Sequence, residues 1–586
     1  MLAPDIRTTL TGQIRPPADA KITHLLGTTY TLDLLSALVP PLAVSGSAGL
    51  RSSDPLEVLA ALRNTAADID IFHQAGQVPV PAIPSRILTL LEDGIHAVRH
   101  RPGFLFHPKI WLARYEYDDD TIGYRLLVQT RNLTPDKSWD VVVTLDGTVM
   151  TQPFASNRPL SKLITYLPQT AVVPVNTQRR QRLAALAEEI RHVEWATPAG
   201  VRDVRFHVFG VPGLKAAPDF SGYQHLLISP FLCEDGLHYL LDDTASGDVT
   251  VVSTDEAFTQ LGEVEVLKGA QRRVLAPAAG VPADDEQASS HTILRGLHAK
   301  MYCVRRDRRS HLFIGSANAT AAAFGGNVEI LVELDGNATL GVDALLDEEH
   351  GLGGILVPLD DIGEPVDTDD SQRNLDAYLR SVASLQMAVR LSRDGETCRL
   401  EVTSEDVLPA LPDTTVAIAP LTRPELAQDA ASGAPVSLEF NDLALTDTTA
   451  LLTVRVVDTA TQLHSATVVK ARLIKDLPGR VSAVIGHEIK TPEALLRLLR
   501  LLLAFGSDAA ATETEPTAGA QSASRQQLEN GLFEMLLQAA AHRPQSLDSI
   551  RGIVDDIVST GDPKNLLPKG FDDMWAAINA AVNETR

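Results

Sequence analysis

At 586 residues the chain is long enough for three or four domains, and a 44 % hydrophobic content is ample for packed cores. Its formal net charge of −24 is uneven: residues 1–340 carry −6 and residues 341–586 carry −18, so the acidity belongs mainly to the C-terminal part. Cys233, Cys303 and Cys398 are scattered, which excludes a disulfide framework or a zinc pattern. The most apolar stretch, residues 494–505, contains Arg497 and Arg500 and is too short to span a bilayer. With no apolar core of signal-peptide length near residue 1, the expectation is a cytoplasmic protein with no membrane partner.

Taken in chain order, the first informative elements are apolar, strand-like runs: GTTYTLDLLSALV, ADIDIFHQAG and FHPKIWLARYEYDDDTIGYRLLVQTRNLT. The last places His107, Lys109 and Asn132 on two strands and the loop after them. LTPDKSWDVVVTL follows and puts Asp140 before another apolar run. Residues 178–195 have helical periodicity and read as a connector. The same series then recurs. LISPFLCEDGLHYLL and DVTVVSTDEAF precede LHAKMYCVRRDRRSHLFIGSANAT, which holds His298, Lys300 and Asn318, and AAAFGGNVEILVE brings Glu329. The second His lies 191 positions after the first, and the His-to-Asn spacings are 25 and 20 residues. A lone His-x-Lys means little, but two copies closed by Ser/Thr-x-Asn indicate a duplicated unit.

Beyond the repeats, DDIGEPVDTDD (360–370) is an acidic linker. Short alternating runs from about 388 to 475 (CRLEVTSEDV, TTVAIAPL, VSLEF, ALLTVRVVD, SATVVKARLI) argue for a small β-sandwich. A low-complexity linker (512–524) lies within a helical C-terminal segment. HEIKTP (487–492) resembles the phospho-acceptor box of sensor kinases, but no Gly-rich nucleotide lid follows; Thr491-Pro492-Glu493 reads as a helix start. The expected organisation is therefore 1–175 and 196–345 as the two repeats, 385–478 as the sandwich, and 487–586 as a helical domain for interaction.

The chemistry follows from the paired motifs. His-x-Lys on a strand puts both side chains on one face, and an imidazole beside a fixed cation suits a phosphoryl group. Two such units supply two imidazoles, two ammonium groups and two amides around one phosphorus. One histidine then serves as nucleophile, giving a phosphohistidine, while the other acts as proton donor and later as base. Lys109, Lys300, Asn132 and Asn318 stabilise charge on the equatorial oxygens. Asp140 and Glu329 are expected to fix histidine tautomers, with Thr130 and Ser316 as supporting hydroxyls. The scheme needs no metal and no cofactor.

These paired motifs resemble those of the phospholipase D superfamily over roughly residues 25–340. That resemblance implies an α/β fold: two pseudo-twofold-related units with mixed β-sheets flanked by helices and the active site at their interface. Here the sandwich and the helical domain would be added to it. By the resemblance His107 is the nucleophile and His298 the acid. The family's Asp five residues after the Lys is replaced by Arg114 and Arg305, as in tyrosyl-DNA phosphodiesterases and some metal-independent restriction endonucleases of the superfamily. The first motif has QTRN where the second has the fuller GSAN.

For the substrate, the arginines Arg131, Arg295, Arg305 and Arg306 beside the motifs point to a nucleic acid, with DNA favoured over RNA. Phrases such as IFHQAGQVPVP and FHPKIWLARY are similar to phospholipase D-like proteins of prokaryotic defence operons. That likeness implies a helicase-type partner delivering nucleic acid to an acidic protein, docked through the C-terminal faces LLRLLRLLL and GFDDMWAAI. A soluble phospholipase or phosphatidyltransferase and a non-catalytic nucleic-acid-binding scaffold are the alternatives.

Overall fold

The computed structural model describes residues 9–17, 19–44, 59, 65–135, 138–242, 244–276, 296–363 and 370–488, together with positions 496, 499, 536, 571 and 575–578. The first repeat forms strands β1 (Ala20–Thr29), β2 (Ile69–Gln74), β3 (Ile95–Val98), β4 (Ile110–Tyr117), β5 (Ile122–Gln129), β6 (Val142–Val149) and β7 (Val193–Trp195). They make a seven-stranded sheet in the order β3-β2-β1-β4-β5-β6-β7. The second repeat forms β8 (Val201–Phe209), β9 (Gly222–Ile228), β10 (Thr244–Val252), β11 (Gln271–Leu275), β12 (Met301–Arg306), β13 (Arg309–Gly315), β14 (Glu329–Gly336) and β15 (Leu356–Pro358). Its eight-stranded order is β15-β11-β10-β9-β12-β13-β14-β8. The run β3-β2-β1-β4-β5-β6 is matched strand for strand by β11-β10-β9-β12-β13-β14, and β1 and β9 are each parallel to one neighbour and antiparallel to the other. The fold is thus a duplicated α/β unit with mixed sheets.

Both faces of the central strands are buried, which is why they read as continuous apolar runs rather than strict alternation. In β4, Trp111, Ala113 and Tyr115 face one core while Ile110 and Leu112 face the other. Trp111 lies over Gly27 of β1, where a Cβ would come within 2.5 Å of the indole ring; the ring fits because that residue is glycine. The second core is shared: Phe106, Leu112 and Leu126 of the first unit pack in one cluster with Phe206, Met301, Ile314 and Val328 of the second. An apolar core between the units holds their motif-bearing edges in fixed register.

The periodicity expected to carry a helix through 178–195 ends earlier. A helix spans Thr177–Glu189, one 3₁₀ turn follows, and residues 193–195 become β7 on the first sheet. The helix is pinned to that sheet by Arg179, which donates to the Ile69 carbonyl at 2.7 Å and the Asp70 carboxylate at 2.8 Å.

Residues 387–475 form two four-stranded sheets. In chain order their strands are β16 (Met387–Asp394), β17 (Thr397–Val407), β18 (Thr414–Pro420), β19 (Gln428–Ala430), β20 (Pro435–Leu443), β21 (Leu451–Asp458), β22 (His464–Lys470) and β23 (Arg472–Lys475). The sheet orders are β20-β17-β16-β23 and β19-β18-β21-β22, a sandwich closed over Val389, Leu400, Val416 and Val454. It is fastened to the first unit by buried polar bonds. Arg480, just after the sandwich, pairs with Glu92 at 2.7 Å, and Glu92 also accepts from Thr449 at 2.7 Å and the Ala450 amide at 2.8 Å. Val78 and Thr467 exchange bonds of 3.1 and 3.0 Å.

The C-terminal faces read as docking surfaces are partly used within the chain. Leu496, Leu499, Leu536, Phe571, Trp575 and Ile578 are buried in the cluster beneath β1, β2 and β4 with Leu25, Ile71 and Trp111. Burial of those apolar side chains covers the outer face of the first sheet. Thr491-Pro492-Glu493 and the linker 512–524 lie outside the described residues. No helix among the described residues is long and apolar enough to cross a membrane.

Candidate active site

The two motifs meet through a backbone exchange in which each strand start pairs with the other unit. The His107 amide donates to the Val328 carbonyl at 2.9 Å, and the Val328 amide to the Leu105 carbonyl at 2.9 Å. On the other side the His298 amide donates to the Trp139 carbonyl at 2.8 Å, and the Trp139 amide to the Gly296 carbonyl at 2.9 Å. Residue for residue, Leu105, Phe106, His107 and Val328 match Gly296, Leu297, His298 and Trp139. The residue after each of the last pair is Glu329 or Asp140. The local twofold is therefore written in the hydrogen bonding itself, and each acid is carried towards the opposite unit's motif.

The lysines repeat the pattern. Lys109 Nζ donates to the His107 carbonyl at 3.0 Å, and Lys300 Nζ to the His298 carbonyl at 2.7 Å. Both ammonium groups are buried, with residue exposures of 0 % and 1 %. Burial drives the Lys109 pKa well below the usual lysine value, and the nearby Lys300 charge adds to the effect. The two buried ammonium groups feel one another, and the Glu329 carboxylate acts on Lys109 in the opposite sense. Burying like charges together is costly.

The scaffold hydroxyls are equivalent as well. Thr130 Oγ1 accepts from the Val141 amide at 3.0 Å, and Ser316 Oγ accepts from the Ile330 amide at 3.0 Å. Thr130 thus keeps the backbone-holding part of the Ser despite the QTRN variation. The amides after the motif asparagines are held alike: Leu133 donates to Thr29 Oγ1 at 3.0 Å and Ala319 to Ser229 Oγ at 3.0 Å. Asn132 and Asn318 each present a buried side-chain oxygen with no hydrogen-bond partner. Orphaned polar atoms at two equivalent places in one cleft are the mark of a site built for a ligand.

The imidazoles differ. His107 Nδ1–H donates to Glu329 Oε2 at 2.9 Å, which leaves Nε2 as the lone-pair nitrogen. Ser316 Oγ donates to the same carboxylate at 2.5 Å and Asn327 Nδ2 to its other oxygen at 3.2 Å. Burial lowers the His107 pKa to about 4, the Glu329 carboxylate opposing that shift and Lys109 reinforcing it, so the ring is neutral near pH 7. For His298, Nδ1–H donates to the Thr130 carbonyl at 2.9 Å, with Lys300 Nζ 3.2 Å from that nitrogen. Asp140 is half-buried at the place equivalent to Glu329.

Other expected site residues stand apart. Arg131 adjoins Asn132 and donates to the Thr134 carbonyl at 2.7 Å. Arg305 and Arg306 are at the far end of β12: at about 3.3 Å per residue, Arg306 is roughly 20 Å along the strand from Lys300. Both are engaged there, Arg305 with Asp343 at 3.0 Å and Arg306 with Asp219. Closeness in sequence did not become closeness in space because the strand runs away from the site. Arg295 lies outside the described residues. Arg114, at the position of the family's Asp, grips Glu189 through Nε at 2.7 Å and Nη2 at 3.3 Å.

Three residues that sequence reasoning passed over belong here. Tyr30 meets the His107 ring edge-on, centroids 5.1 Å apart, and lies 6.0 Å from Lys109 Nζ. Gln74 Oε1 accepts from the Phe106 amide at 2.7 Å, steadying the residue before His107. Asn327 holds both Glu329 and the Leu105 amide, the latter at 2.9 Å. Tyr30 and Gln74 lie inside two of the aligned runs, GTTYTLDLLSALV and ADIDIFHQAG, but share no residue type with the second copy that would mark them. The first repeat has Ser138 at the place of Asn327.

No family model and no curated protein matches the sequence. Solved structures similar to the chain include two enzymes of the phospholipase D superfamily. Yeast tyrosyl-DNA phosphodiesterase is 13 % identical, covers 56 % of this chain and 85 % of its own, and has a TM-score of 0.34. Phosphatidylserine synthase of Haemophilus influenzae is 11 % identical over 58 % of this chain and 83 % of its own, with a TM-score of 0.32. Likeness at that level says nothing about individual residues, and the roles assigned below rest on this chain's own geometry.

Proposed function

We propose that the chain is a phosphodiesterase of the phospholipase D type, acting as a nuclease through a covalent phosphohistidine. The observation that carries this reading is the twofold convergence of two His-x-Lys motifs with buried lysines and with Glu329 fixing the His107 imidazole. His107 Nε2 attacks phosphorus, an N–P bond forms, and the P–O bond to the leaving group breaks as His298 supplies its proton. His298 then takes a proton from water, the resulting hydroxide attacks phosphorus, and the N–P bond breaks to restore neutral His107. Lys109, Lys300, Asn132 and Asn318 hold the equatorial oxygens throughout. Glu329 keeps Nδ1 protonated and stabilises the charge that His107 gains on forming the N–P bond.

The nucleic-acid assignment, DNA ahead of RNA, rests on the two buried lysines of the cleft and on the missing motif aspartates. Action within genome defence, with a protein partner at the appended domains, is the wider setting we infer. Labelled single- and double-stranded DNA and RNA in excess EDTA, with His107→Ala beside the wild type, test the nuclease reading. Cleavage that survives EDTA and is lost in the variant supports it; cleavage equal in both, or none, overturns it. A phosphatidyltransferase reading would then be examined with lipid diesters.

A further inference from the structure

The loop that closes the first half-site is also where the rest of the chain leans on it. Gln74 ends β2, its side chain holds the Phe106 amide, and its own amide donates to the Tyr30 carbonyl at 3.3 Å. Two residues on, Gly76 has φ of +79°, a left-handed backbone that favours glycine, and the helix Ser371–Ala383 packs directly on it. A Cβ at Gly76 would lie 2.9 Å from Arg380 Cα and 3.0 Å from its Cγ. Arg380 is thereby set against the turn two residues after Gln74, the residue bonded to both Tyr30 and Phe106, on the helix that carries the chain into the sandwich.

Arg380 is half-buried and, among the described residues, makes no ion pair, unlike Arg114, Arg179, Arg305, Arg306 and Arg480. Its charge acts on the Tyr30 phenol, opposing the upward push of burial, with Asp376 one turn back acting the other way. Asp376 is itself engaged by Gln372 at 3.0 Å. The feature is one-sided. Thr29 and Ser229 are equivalent, so Tyr30 corresponds to Pro230, which brings no phenol.

Resting on the nuclease reading, we propose that Arg380 and the Tyr30 hydroxyl form a subsite for the phosphodiester next to the scissile one, on the His107 side of the cleft. A guanidinium is suited to bidentate contact with phosphate oxygens. The subsite favours a polynucleotide over an isolated diester and makes the appended helix part of substrate recognition.

The test uses the full chain as wild type, Arg380→Gln and Arg380→Glu, with a single-stranded oligodeoxynucleotide and with bis(p-nitrophenyl) phosphate, which has one diester only. Arg380→Glu is expected to raise KM for the oligonucleotide about tenfold, Arg380→Gln by less, with kcat changing far less than KM. The loss in kcat/KM should be several times smaller for the single diester, and the salt dependence of oligonucleotide KM should become shallower. Equal loss on both substrates, or no loss on either, overturns the subsite while the nuclease reading stands. Failure of the wild type to cleave any oligonucleotide while it hydrolyses the single diester overturns both.

Discussion

The two half-sites share a backbone and differ in electrostatics. His107 and His298 have the same crossed amide bonds, the same lysine reaching back to the histidine carbonyl, and the same hydroxyl holding the adjoining strand. Yet Nδ1 of His107 faces the Glu329 carboxylate, whereas Nδ1 of His298 faces the Thr130 carbonyl with an ammonium 3.2 Å away. The difference teaches that a duplicated frame fixes where groups stand, and that the partner of one ring nitrogen divides the labour. A carboxylate behind His107 would stabilise the cation formed on attack, which is why His107 is the proposed nucleophile.

The sharpest way to break this comparison is to remove each histidine in turn. His107→Ala is expected to lower kcat by at least about 10³-fold and to abolish any acid-labile phosphoprotein captured after mixing with labelled substrate. His298→Ala should lose comparable turnover yet still form the adduct on a substrate with a good leaving group. An adduct in the first variant and none in the second would reverse the assignment. Next in size, Glu329→Gln is expected to lower kcat by about 10²-fold or more, with little change in KM, because the tautomer of His107 is no longer fixed. A loss confined to KM would refute that role.

The pH behaviour sharpens the same contrast. Burial is the first cause that lowers His24, His73, His96 and His107 from 6.5 to about 4. Each takes up its proton more readily when unfolded. Their contribution to stability is therefore complete above pH 6.5 and is lost as pH falls from there through about 4. Tm should drop steeply across that window, and a flat Tm between pH 6.5 and 4 would contradict the burial. Smaller again is Arg114→Asp, which restores the family residue. It sets a carboxylate against Glu189 and should cost about 2 kcal/mol, read as a lower Tm, with no gain in activity. Smallest is Arg306→Ala, far from the site, which should change oligonucleotide KM by less than about twofold, a surface ion pair contributing about 1 kcal/mol or less.

Much of this was legible in the chain because repetition is a strong signal. Two HxK motifs at similar spacing identify the duplicated unit and the His, Lys and Asn residues proposed for its site, and alternating runs indicate the sandwich; the order of the strands is not written in them. What the residues could not reveal is which unit's acid meets which histidine. Glu329 belongs to the second repeat but serves the first, since the strands cross at Val328, and crossing is a tertiary fact. The arginines of RRDRR misled for the same reason: six residues along a strand are a long way in space. Tyr30, Gln74 and Arg380 carry no pattern at all, being singular features added to one copy.

That singularity follows from the crossed strand starts at Phe106–Val328 and Leu297–Trp139. A site assembled that way needs both halves, and two identical separate chains would supply it equally well. In such a pair every substitution would appear twice, so a tyrosine placed against one histidine would be placed against both. Joining the halves in one polypeptide frees each to vary on its own terms, and one side of the cleft has a phenol where the other has a proline.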